Sequence, residues 1–356
     1  MGVSVPVLAA RALALALAFV GSAMANDSSS ELAAGGIVLV KTDAITMQRE
    51  DLTLSPSEVK VRYEMRNDTG QPVTLRVAFP MPEVPSDTPA GMTTKSGAHN
   101  VAMRPPTDPD FLRFRVWADG REIKPEIEIK AQLPDGRDIA EALQAIGGPT
   151  LVLQPGIFPS PEDKPLDAAV RQKLQALGAL EPLDGGEGFR LPWSVRITFH
   201  WMQTFAPGVT VVEHSYRPVI GSRFIVIEDG KIGGSGGEDP VRAFCIDAAT
   251  DQSIRAANRR LKEARRPAGA DAPLLMGYTL GYILQTARNW RGGAIGTFHL
   301  TLQGGPIAAE GRTVGDVRVT TLCTGLPLRR TGPQRFEATV RDYVPKEDLR
   351  ILFIAE

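Results

Sequence analysis

The residue types from which a reaction could be built are few here: four histidines, two cysteines and one glycine-rich serine string. The histidines are His99, His200, His214 and His299. His200 and His214 flank Pro207 symmetrically, so a hairpin turning there would set them opposite each other on one face. Imidazoles on adjacent strands can begin a metal site, and His299 on a third strand could complete it. Such a cluster would make the protein a metal-dependent enzyme or a hydrolase. Against it, a one-residue slip in register separates the pair, and no acids accompany them at ligand spacing. A histidine on the polar face of a sheet is the simpler reading.

Gly233-Gly234-Ser235-Gly236-Gly237 matches the G-x-S-x-G string, whose serine acts only when a strained strand-to-helix turn aims it at an oxyanion hole. Here the string follows the Asp229-Gly230 turn and runs into Glu238-Asp239-Pro240 without a helical pattern, so it reads as a flexible turn. The acid pairs Asp108 and Asp110, Asp135 and Asp138, and Glu238 and Asp239 sit in polar loops, with no apolar surround to shift a carboxyl toward catalysis. The sequence has no phosphate-binding loop, C-x-x-C pair or calcium loop, so it implies no cofactor. The candidate ligand contacts are Trp117 and Trp290 near turns, with Tyr216 and Arg217 at a strand end. Trp201 follows the apolar parity of its strand and reads as core.

Cys245 and Cys323 are the two cysteines. Residues 1–25 read as a secretory signal: Arg11 precedes an apolar run from Ala12 to Val20, and Ala23-Met24-Ala25 has the small-x-small form of a cleavage site. Export places the chain in an oxidising compartment, the periplasm or outside, where a cysteine pair is expected to form a disulfide. Closing so long a loop would stabilise the fold by up to about 4 kcal/mol. No later apolar run is long enough to span a bilayer, so no transmembrane segment is expected in the mature chain. Lys plus Arg number 40 against 41 for Asp plus Glu, so no net field favours nucleic acid.

The elements that must position these residues are mostly strands. Val59, Val61, Tyr63 and Met65 alternate with Lys60, Arg62 and Glu64; Val73, Leu75, Val77 and Phe79 alternate with Thr74, Arg76 and Ala78. A period of two buries one set and solvates the other, and Asn67-Asp68-Thr69-Gly70 between them predicts a hairpin. A second hairpin is predicted from Trp193 to Tyr216, turning at Ala206-Pro207-Gly208. Between them the composition changes. Leu166, Val170, Leu174 and Leu177 form a helical stripe, with Gly178 placed to cap it. Thr250 to Arg266 predicts a surface helix, whose basic face reads as solvated. The expectation is a mainly β protein of antiparallel, sandwich-like sheets: an N-terminal β domain at 26–137, a helical insertion at 138–190 and a C-terminal β domain at 191–356. The polar stretch Ser86 to Asp110 is expected to be a long loop.

These residues resemble a bacterial exported family known as domain of unknown function 4424. The resemblance rests on Asn26-Asp27-Ser28-Ser29 with Gly35-Gly36, on Val61-Arg62-Tyr63 leading to Ala78-Phe79-Pro80-Met81-Pro82, and on Gln203-Thr204-Phe205 with His214-Ser215-Tyr216-Arg217-Pro218. Asn289-Trp290, Gly296-Thr297-Phe298 and Asp342-Tyr343-Val344-Pro345 extend it toward the end of the chain. The family implies an exported, β-rich protein and brings no activity or catalytic residue. The expected role is therefore a binding or structural β module of the cell envelope, presenting loops to a protein or glycan. Strand pairing through a free sheet edge is a further way such a module could hold a partner.

Overall fold

The computed structural model describes residues 28–33, 36–81, 83, 112–153, 156–158, 166–183, 188–218, 220–234, 239–264, 275–309 and 312–356. Residues 1–25, expected as a signal, the stretch Ser86 to Asp110 expected as a loop, and Ser235 lie outside them. The chain is mainly β, as its alternation predicts. A five-stranded sheet runs in the order Gly36–Leu39, Ser28–Ala33, Val73–Pro80, Ser194–Phe205, Glu126–Gln132. An eight-stranded sheet runs Arg329–Gly332, Arg335–Tyr343, Ile295–Gln303, Ile45–Leu54, Val59–Asn67, Gly208–Tyr216, Arg115–Ala118, Arg121–Ile123. A six-stranded sheet runs Lys231–Gly234, Gly221–Glu228, Leu275–Tyr282, Leu349–Ala355, Arg312–Cys323, Pro306–Ala309.

Neither expected hairpin forms. Val59–Asn67 pairs with Ile45–Leu54 and Gly208–Tyr216, whereas Val73–Pro80 pairs with Ser28–Ala33 and Ser194–Phe205. Each predicted turn is instead an arch that carries the chain from one sheet to the facing one. The two arches are tied together by one amide: Asn67 Nδ2 donates to Gln71 O and to Phe205 O, both at 2.8 Å. Asn67 Oδ1 accepts from Thr69 N at 2.9 Å, and Gly70 takes the left-handed φ of 75° that completes the turn. The alternation was a true record of burial, since Val59, Val61, Tyr63 and Met65 are all buried. Their outward neighbours form a surface ladder in which Arg62 reaches Glu64 at 2.7 Å and Asp51 at 3.7 Å.

The segments 26–137 and 191–356 interleave. Ser194–Phe205 sits between Val73–Pro80 and Glu126–Gln132, and Ile295–Gln303 lies parallel to Ile45–Leu54. The six-stranded sheet draws on the second segment alone. Its central strand, Leu349–Ala355, is buried on both faces: Ile351 and Phe353 join the main core, while Leu352 and Ile354 join a second one. The helix Ala248–Ala264 covers that second core with Ile254 and Ala257. Its basic side is partly spent in ion pairs, Arg255 on Asp251 at 2.5 Å and Arg260 on Glu356 at 2.6 Å.

The stretch 138–190 is helical over Ala140–Gly147, Pro149–Val152 and Ala168–Leu177 and adds three short strands. Asp167 caps the third helix, accepting from Ala169 N at 2.8 Å, and Gly178 ends it at φ 74°. Trp193 Nε1 donates to Val152 O at 3.0 Å and pins the insertion to the sheet.

Candidate ligand-binding cleft

The three histidines do not converge. His200 and His214 stand in different sheets, paired with Ala78 and Glu126 in one case and with Val61 and Val116 in the other. The hairpin that would have set them face to face is an arch, and this removes the geometry on which a shared metal depended. His299 is on a third strand, its Nδ1 2.8 Å from Thr339 Oγ1. Among the described residues no group of three His, Cys, Asp or Glu could hold a metal ion.

Each histidine has a local account. His214 is 2% exposed and ringed by Tyr63, Phe79, Phe114 and Trp201, all at 5.1–5.5 Å between centroids. It belongs to the aromatic core. His200 lies on the outer face of the five-stranded sheet, its Nδ1 3.1 Å from Arg76 Nη1 and its Nε2 4.0 Å from Glu126. A guanidinium only donates, so Nδ1 accepts and the ring proton sits on Nε2, toward Glu126. Burial lowers the His200 pKa from 6.5, and Arg76 lowers it further, while Glu126 and Glu128 pull the other way. The unfolded chain therefore binds this proton at higher pH than the native one does. The resulting stability is complete above about pH 6.5 and is lost as pH falls below it. His200→Gln should flatten that acid-side slope in urea midpoints measured between pH 7 and 5; an unchanged slope would assign it to another group.

Of the aromatic candidates, Tyr216 and Trp290 are core residues, 4% and 2% exposed. Burial also pushes the Tyr216 phenol far up. Trp117 is half-buried on the strand next to the sheet edge, with the Arg115 guanidinium 5.0 Å above its ring, and Arg115 in turn holds Glu122 at 2.8 Å. Arg217 is exposed just past the end of the strand Gly208–Tyr216. None of these four residues lines the cavity described below.

Two groupings were not apparent from the sequence. The first is internal. Glu50 is fully buried, accepting from Tyr282 Oη at 3.3 Å, and Tyr282 Oη is 3.3 Å from Tyr63 Oη. Burial, with Tyr63 and Glu50 adding to it, holds the Tyr282 phenol well above its ordinary range. A bulge between Met47 and Arg49 turns Glu50 inward, moving the buried parity from odd to even positions.

The second grouping is a cavity of about 440 Å³ lined by Asp239, Arg242, Ala243, Cys323, Glu347, Asp348 and Arg350. Its volume is that of a small-ligand site. One wall is the single-turn helix Pro240–Ala243, which Asp239 caps by accepting from Val241 N at 3.0 Å. The chain leaves that helix through buried Phe244, whose carbonyl accepts from Thr321 Oγ1 at 2.8 Å. The Arg350 guanidinium lies 5.3 Å from the Phe244 ring. Cys245, at a left-handed φ of 49°, then bonds Cys323 with an S–S distance of 2.07 Å, the pairing expected of the two cysteines. Cys323 Sγ is 3.5 Å from the Arg242 carbonyl oxygen, so the disulfide closes the floor against this wall.

The facing wall is Pro345 to Arg350. Asp348 caps the turn Gln285–Asn289, accepting from Leu284 N at 3.0 Å and Gln285 N at 3.3 Å. Arg288 Nε donates to Pro345 O at 2.7 Å. The lining carries both signs of charge beside Ala243 and Cys323 and has no aromatic or long aliphatic side chain, so it suits a small ligand with charged groups. The sequence pointed only to its cysteines; the short helix Pro240–Ala243, capped by Asp239, was not expected from the sequence.

A family model described as Domain of unknown function (DUF4424) matches residues 25–352. No curated protein matches. A crystal structure of "a putative nutrient binding protein" from Legionella pneumophila is 11% identical, with a TM-score of 0.38, over 93% of this chain and 72% of that one. A likeness of that size carries no argument about what this chain does. The family match spans nearly the whole sequence, and the protein belongs to the DUF4424 family.

Proposed function

We propose that the protein is an exported binding module of the cell envelope, with its ligand site in the charged cleft beside the Cys245–Cys323 disulfide. The cleft itself carries this reading: a concavity of about 440 Å³, walled by capped turns and floored by a covalent bond. Such a wall is preorganised, so little ordering is needed when a ligand enters. Export is supported by the signal-like pattern of residues 1–25 and by the disulfide. No helix among the described residues is long and apolar enough to cross a membrane.

A ligand that binds only the native state raises its stability by mass action. In a thermal-denaturation panel of small charged solutes at millimolar concentration, at least one should raise the unfolding midpoint. Arg242→Glu should abolish that rise. A panel that leaves the midpoint unmoved, or a rise that persists in the variant, contradicts the reading.

A further inference from the structure

Resting on that assignment of the cleft, we infer that its ligand is a small zwitterion, an amino acid or short peptide with free ammonium and carboxylate groups. The lining charges are not equally available. Asp239 and Asp348 already accept backbone N–H bonds as caps, and the Arg350 guanidinium lies close to the Phe244 ring. Arg242 and Glu347 are different. Both are exposed, and neither side chain makes a hydrogen bond or ion pair among the described residues.

They line one cavity and carry opposite charges, yet no ion pair within 4.0 Å joins them. An Arg and a Glu that line one cavity, each without a partner among the described residues, are complementary to a ligand with both charges at its ends. Its carboxylate would take the Arg242 fork and its ammonium the Glu347 carboxylate, each contact being charge-assisted. A simple anion would meet Glu347 and a simple cation Arg242, so each is disfavoured by the group the zwitterion uses. With no aromatic or long aliphatic side chain in the lining, selection falls mainly on the charged ends.

The test is calorimetric titration of the oxidised protein with glycine and with triglycine, which separate the amino-acid and peptide sources. At least one should bind, and its N-acetylated and C-amidated forms should bind about tenfold or more weakly, the order expected for losing one charge-assisted contact. Arg242→Gln should weaken the parent ligand similarly and leave the amide unaffected; Glu347→Gln should do the same with the acetylated form. Both positions are exposed, so the variants should fold normally. Blocked forms that bind as tightly as the parent overturn the inference, and so does failure of both parents to bind. If both fail while inorganic phosphate still raises the unfolding midpoint in an Arg242-dependent way, the zwitterion falls and the cleft stands.

Discussion

Phe114→Ala should lower the free energy of unfolding by about 3–5 kcal/mol, the range for removing a buried phenylalanine from a core that cannot collapse around the gap. Phe114 is 5% exposed and stacks on Phe199 at 4.3 Å and Phe79 at 5.1 Å, both from the five-stranded sheet. On its other side it meets His214 at 5.1 Å and Tyr216 at 6.1 Å, both from the eight-stranded sheet. It therefore bridges the two sheets, and neither sheet can move to fill its volume without breaking its own ladder. Urea denaturation at neutral pH measures the effect. A loss under about 1 kcal/mol would mean that the sheets do not depend on this contact.

Removing the disulfide by Cys245→Ala with Cys323→Ala should cost about 4 kcal/mol. The bond closes a loop with a sequence separation of 78 residues, and the entropy of that loop returns to the unfolded chain when it is cut. It also ties the wall Pro240–Ala243 to the end of Arg312–Cys323, so the same variant should loosen the cleft. Denaturant midpoints of the oxidised protein and the double variant give the comparison. Equal midpoints would show that the unfolded chain gains no freedom from the cut.

Burial was legible in the sequence and pairing was not. Val195, Ile197, Phe199 and Trp201 face the core as their alternation requires. The same alternation serves a hairpin or an arch, because period two fixes which face a side chain takes and says nothing of which strand lies beside it. The disulfide was legible because the signal-like pattern of residues 1–25 made an oxidising compartment the expectation, and two cysteines there leave one pairing. Glu50 was not, since its inward turn depends on a bulge that packs against a distant strand. A Cβ at Gly296 would come within 2.6 Å of Gln48 O, so the bulge fits only over a glycine nearly two hundred and fifty positions away. The cleft was hidden for the same reason. Arg242, Cys323 and Glu347 come from three separate stretches, and each alone reads as an ordinary solvated or structural residue.

The central claim is that the cleft beside the disulfide is where this DUF4424 protein holds its ligand. The most direct test is amide chemical-shift mapping of the ¹⁵N-labelled protein during titration with whichever panel solute raises its unfolding midpoint. The largest shifts should fall at Val241 to Phe244, at Cys323 and at Glu347 to Arg350. Shifts centred instead around Trp117, or scattered without a maximum, would contradict it.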